Sequence, residues 1–294
     1  MNNTAKRFLY FFAATLLIIV ASFIIYTSYF RRIKLSDSIP EIDEKRQARM
    51  LSAFFGLDEL PKQSLLLYRK GPGKNGMPIV FSQEIDPTTL DESDFEVTTQ
   101  SGEKMEVEFV TLKPANEEFE LRTVLLIGEY GTHPENPPIS VAIVDNLKSR
   151  SGQNYKGQNL KVIPLPDGPT ISYAEHFIID EDYPYVKRGG GCDCPKEETD
   201  LVVRTVWSGG VKATNGQELG DNELNHFHVT VLNGEDTLVV TPFMLADLRD
   251  NDNNIDLCLK TKGTPIYVSA DAEIAIDPRG DKNPKTTLEI VSRW

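Results

Sequence analysis

Two stretches of the chain repeat one pattern at a fixed distance, and that repeat restricts the fold more than any other feature. Asp94-Phe95-Glu96-Val97-Thr98-Thr99 leads into Ser101-Gly102-Glu103, and His226-Phe227-His228-Val229-Thr230-Val231 leads into Asn233-Gly234-Glu235. Phe95 and Phe227 are 132 positions apart, as are Gly102 and Gly234. Each stretch alternates apolar and polar residues and then meets a turn, as a half-buried strand entering a hairpin does. Upstream, Phe81-Ser82 and Trp207-Ser208 each close an apolar run; downstream, Ile139-Ser140-Val141 is answered by Ile266-Tyr267-Val268, 127 positions on. One unit written twice in the same order predicts two copies of one β domain. Superposed, Phe95 should fall on Phe227 and Gly102 on Gly234, with Phe95, Val97, Phe227 and Val229 in the cores.

Alternation and turn residues place strands in the first copy at 78–82, 94–99, 104–112, 120–128, 139–144, 159–163 and 170–177. Turn signals such as Asp86-Pro87-Thr88-Thr89, Lys113-Pro114 and Asn136-Pro137-Pro138 separate them. About seven short strands in about 100 residues predict an antiparallel sandwich, and no helical crossover fits between them. The second copy is expected to run through 201–207, 227–232, 237–241, 255–260, 265–270 and 286–292. The fold class is therefore all-β, two tandem sandwiches. Its divisions are an anchor at 1–34, a stalk with a short helix at 35–76, a first β domain at 77–178, a Gly/Cys linker at 179–198 and a second β domain at 199–294. In the stalk, Ser38-Ile39-Pro40-Glu41 has the form of a capping box, predicting a helix from there to about Phe55.

Before the repeat, Phe8 to Phe30 carries no charged residue. At about 1.5 Å per residue it would span roughly 35 Å, enough for a bilayer core with some tilt. A secretory signal has a shorter apolar region followed by a small-residue site, so an uncleaved anchor is expected. Lys6 and Arg7 precede the segment and Arg31, Arg32 and Lys34 follow it, so charge bias does not set its orientation.

In the first β domain, Pro78-Ile79-Val80-Phe81-Ser82, Ile85-Asp86-Pro87-Thr88-Thr89-Leu90 and Asp94-Phe95-Glu96-Val97 resemble the opening of bacterial Ig-like domains of the S-layer and surface-protein type. Those begin with an I-x-F-S strand, a [VI]-D-P-x-T-[LV] corner and an F-x-V strand. The resemblance covers roughly 20 residues and reaches the second domain mainly through the repeat, because Trp207-Ser208 is followed by Gly209-Gly210 and no D-P corner. It implies a sandwich on a cell-envelope protein, used as a spacer or adhesive module, and implies no catalytic residues. The bulk of the chain is accordingly expected outside the cytoplasm, periplasmic or extracellular.

A net charge of −13 argues against a nucleic-acid partner, which needs a cationic face. Cys192, Cys194 and Cys258 are the three cysteines. They lack the four ligands and spacing of a zinc site, and in an oxidising compartment Cys258 is expected to pair with Cys194 or Cys192. His226 and His228 share one strand face, read as the solvated one. Asp250, Asp252, Asn254 and Asp256 put oxygen side chains at alternating positions, as the start of a calcium loop does, but without the glycine and glutamate of an EF-hand. An Asx-rich turn would give the same pattern. Asn116-Glu117-Glu118 and Glu120 stand at roughly the corresponding place in the first copy.

No G-x-S-x-G, H-E-x-x-H or dinucleotide fingerprint occurs. The expected function is a membrane-anchored, non-enzymatic adhesion, assembly or binding module, with an envelope protein or glycan as partner and calcium as the candidate ion. The alternatives are a metal-assisted envelope hydrolase using loop carboxylates, and a carbohydrate-binding module presenting Tyr183, Tyr185 and Trp294.

Overall fold

The computed structural model describes Phe12, residues 15–17, Ile33, Leu35 and residues 39–179, 192–246 and 250–293. The chain divides into two units, Met1–Lys34 and Leu35–Trp294. In the first, Phe12 and residues 15–17 are helical and exposed; the rest of the expected anchor lies outside the described residues. Among those described, no helix is long and apolar enough to cross a membrane.

The second unit is all-β apart from short helical turns and one helix, α1 (Glu41–Lys45). Its first half contains β1 (Met50–Ala53), β2 (Asn75–Phe81), β3 (Phe95–Thr99), β4 (Lys104–Thr111), β5 (Thr123–Gly128), β6 (Pro138–Ile143) and β7 (Asn159–Lys161). They hydrogen-bond in the order β1-β2-β5-β4-β3-β6-β7. The start of β4 pairs with β3 and its end with β5, with the register slipping between Val107 and Phe109. An extra residue bends a strand, and here one strand serves both layers of a sandwich. Between the layers pack Met77, Ile79, Phe81, Phe95, Val97, Val124, Leu126, Val141 and Ile143.

The second half contains β8 (Ile171–Phe177), β9 (Leu201–Trp207), β10 (Lys212–Ala213), β11 (Phe227–Asn233), β12 (Asp236–Val240), β13 (Met244–Ala246), β14 (Asn254–Leu259), β15 (Thr264–Ala270), β16 (Ala275–Ile276), β17 (Thr286–Glu289) and β18 (Val291–Ser292). One sheet runs β13-β14-β9-β8-β18, the other β12-β11-β15-β17, and β10 pairs with β16. With β4 divided into β12 and β13, this is the strand order of the first half. Val97 stands opposite Val141 in the first sandwich, and Val229 opposite Val268 in the second. All four side chains are buried, as are Phe95 and Phe227. Gly102 and Gly234 occupy the hairpin turns at φ 86° and 68°, where a side chain is strained. The repeat seen in the sequence is a repeat of topology.

Two boundaries differ from the sequence reading. The stretch expected as a stalk is part of the first sandwich: after α1 the chain enters β1, not a longer helix. There β1 pairs with β2, while the Phe55 amide donates to the Ile163 carbonyl and the Ile163 amide to that of Ala53. The segment satisfies edges that would otherwise be open on both sides. Further on, β8, expected as the last strand of the first domain, pairs with β9, and Ile171 and Ala174 join the second core. The chain changes sandwich between Leu165, in the first core, and Ile171. The 179–198 stretch then connects two strands of one sheet.

Candidate functional site

The sheet β13-β14-β9-β8-β18 is buried on both faces. Ile255, Leu257, Leu201 and Val203 point into the second core, while Asn254, Asp256 and Arg204 lie in a buried layer on the other side. The first sandwich covers that outer face. Leu51 and Val80 meet Tyr173, Val206 and Val291 there, and Phe119 packs among Phe177, Val202 and the cysteines. Buried ion pairs join the halves: Arg122, which also holds Asp43 of its own half at 3.0 Å, reaches Glu175 at 3.4 Å, and Arg204 reaches Glu120 at 3.2 Å.

Within this junction the loop before β5 meets the loop before β14. Val124 and Ile255 begin the corresponding core positions of those strands, so the two loops are repeat equivalents. Glu120, Asp250 and Asp252 each bring a carboxylate oxygen to one place, all three within 4.8 Å of one another. With Ala246, Arg204, Asn254 and Asp256 they line a narrow cavity whose free space is too small for a water molecule. Local hydrogen bonds hold the loop open toward Glu120. Asp250 accepts from the Asp252 amide at 3.3 Å, and Asp252 accepts from the amide and side-chain nitrogen of Asn254 at 2.6 and 2.9 Å. Asn251 turns the chain at φ 58°, a conformation asparagine tolerates better than most residues.

Among the described residues the charges are poorly balanced. Arg204 is committed to Asp256 through two parallel bonds of 2.7 Å, from Nε and Nη2. Burial pushes Asp250 well above the ordinary carboxylate range, with the Asp252 charge adding to the effect, and burial raises Asp252 as well, against the hydrogen bonds it accepts from Asn254. Glu120 is raised well above the ordinary range by burial, which Arg204 opposes and Asp252 reinforces. Glu120 Oε2 and Asn254 Oδ1 are buried without a hydrogen-bond partner. Several buried oxygen donors facing one another suit a hard cation.

Of the four residues singled out in the sequence, Asp250, Asp252 and Asn254 come together and Asp256 turns to Arg204. Glu120 replaces it, and the acidic stretches of the two copies make one cluster, not one in each sandwich. The legible signal was Arg204, a cation in the apolar run Leu201–Trp207. Nearby, Cys194 and Cys258 form a disulfide, with Cα atoms 5.6 Å apart, and Cys192 is a buried thiol. His226 and His228 are partly exposed and approach Asp271 at 3.3 and 3.5 Å. Tyr183, Tyr185 and Trp294 lie outside the described residues.

No protein-family model and no curated protein matches the sequence. Among solved structures, the N-terminal part of the bacterial S-layer protein SbsC is similar over 84% of this chain, at 10% identity and a TM-score of 0.29. The S-layer protein rSbsC(31-844) is similar over 77%, at 10% identity and 0.28, and SbsC domains 1-6 over 84%, at 9% identity and 0.28. This chain spans 44%, 42% and 54% of those chains.

Proposed function

We propose that the chain is a cell-envelope protein whose two Ig-like sandwiches form a rigid adhesion, assembly or binding module, tethered to the membrane by the charge-free segment 8–30. The observation that carries this reading is the junction. Sandwiches joined by flexible linkers reorient freely, whereas here Arg122, Glu175, Arg204 and Arg293 are fully buried between apolar contacts. A module that works by holding a partner at a set distance needs such a joint. The Cys194–Cys258 disulfide agrees with an oxidising compartment. The carboxylate cluster leaves no room for a substrate, which favours a binding module over a hydrolase.

The test is topological. Source cells, both intact and converted to spheroplasts, are treated with protease and with a membrane-impermeant amine label, and their membranes are then washed at alkaline pH. The sandwiches are expected to be cleaved and labelled from outside, in intact cells if extracellular and in spheroplasts if periplasmic, while the N-terminal segment stays in the membrane pellet. Recovery in the cytosol, or protection from both reagents in spheroplasts until lysis, overturns the proposal. Crosslinking before solubilisation then identifies the envelope protein or glycan held.

A further inference from the structure

We propose that Glu120, Asp250, Asp252 and Asn254 form a calcium site that clamps the first sandwich to the second. Oxygens bound to one calcium at about 2.4 Å lie no more than about 4.8 Å apart, and the three carboxylates meet that condition before any ion is considered. An acidic cluster alone would not suffice. Glu120 Oε2 and Asn254 Oδ1 are separate witnesses: each belongs to a residue at least nine-tenths buried, each lines the cavity, and neither has a partner. A buried polar atom left unmatched is destabilising by about 1–3 kcal/mol, and more when charged. Among the described residues, the guanidinium beside the cluster is that of Arg204, and it is spent on Asp256 and one oxygen of Glu120.

The chemistry favours calcium over other ions. All donors are oxygen, which disfavours zinc and copper. Magnesium holds its waters and demands near-octahedral geometry, whereas the cavity has no room for water and its donors come from two irregular loops and the start of β14. The ion would join loops from the two halves of the repeat, so its binding energy adds to the junction.

Full-length protein in detergent, stripped with chelator, is titrated calorimetrically with calcium chloride and, separately, magnesium chloride. One calcium per chain is expected, with magnesium at least about tenfold weaker, and the melting midpoint should rise with calcium. Glu120→Gln, on the opposite sandwich from the aspartates, should weaken calcium binding at least about tenfold. Asp250→Asn should do the same. No heat and no midpoint shift at calcium above about 1 mM, the weak end of extracellular sites, overturns the site. Parental affinity in Glu120→Gln overturns the clamp. Should that variant not fold, Glu120→Asp, which keeps a carboxylate for Arg204 but shortens its reach, is read by the same criterion.

Discussion

Glu175 lies fully buried on β8, with Arg293 at 2.6 Å and Arg122 at 3.4 Å. Burial alone would raise its carboxyl, but Arg293 and then Arg122 outweigh burial and hold it at about 2, below the ordinary 4.5. A depressed carboxyl contributes stability that is complete above its unfolded value and is lost as pH falls toward its folded one. The window here runs from about 4.5 down to about 2, and linkage puts the contribution at about 3 kcal/mol. Asp43, across Arg122, is moved up by burial, so part of that acid loss is offset. Glu175→Gln is expected to lose about 3 kcal/mol or more at neutral pH, since two guanidinium groups lose a buried counter-charge. Its denaturation midpoints should also fall less steeply than the parent's through the acid window. Parallel acid slopes would assign the loss to other carboxylates. None of this pairing was legible in the sequence, because Arg293 reaches Glu175 only through the pairing of β18 with β8, and Arg122 reaches it only when the sandwiches dock. The same holds for Glu120: alternating oxygens at 250–256 point to a loop site, but only docking decides that Glu120 faces it and Asp256 does not.

At the scale of elements, most strands were legible, those on the sheet edges at 159–163, 237–241 and 286–292 included, but β1 and the sheet that β8 joins were not. β3 and β11 carry their alternation and their turn glycines with them, and hairpin pairing is local. The sheets that β1 and β8 join are chosen by whichever edge is free, a non-local matter. The segment around Cys194 shows a consequence. It lies between β8 and β9, and its disulfide reaches Cys258 on β14, 64 positions on. Closing a loop of that length restricts the unfolded chain by about 4 kcal/mol in the entropic account, and measured losses usually run about 2–4. The double variant Cys194→Ala/Cys258→Ala is therefore expected to lose about 2–4 kcal/mol in denaturant unfolding, and mass mapping of the parent should find Cys192 as the one free thiol. A parent with three free thiols would remove the staple. Gly102→Ala and Gly234→Ala should each cost about 1 kcal/mol. In both places open space surrounds the added carbon, so the backbone angle alone sets the loss, which should be equal in the two copies.

For the whole molecule, the repeat predicts two units and the junction predicts that they act as one. Two identical topologies joined by a linker would unfold separately, each with its own midpoint. Here the outer face of one sheet is as buried as its inner face, and Arg293 shows how the halves are held. Its guanidinium bonds Glu175 through Nε and Nη2 at 3.0 and 2.6 Å. It also stacks on Phe177 of the second sandwich at 3.7 Å and lies 4.8 Å from the ring of Phe119 of the first. Removing one partner of a buried ion pair costs about 3–5 kcal/mol, and because Glu175 also pairs with Arg122 and Arg293 also meets Phe119, the loss extends to the contact between the sandwiches. Arg293→Leu keeps the apolar bulk against both rings and deletes the charge. Both tryptophans, Trp207 and Trp294, follow the first sandwich in sequence, so tryptophan fluorescence reports the second sandwich while far-ultraviolet circular dichroism reports both. In the parent the two signals are expected to lose structure at one midpoint. In Arg293→Leu they should separate, the dichroism showing two steps and the fluorescence only one of them. Separate steps in the parent would mean that the sandwiches are independent despite their contact. A single shared step in the variant would place the coupling in the apolar contacts of Leu51, Val80, Tyr173 and Val206 and not in the buried charges.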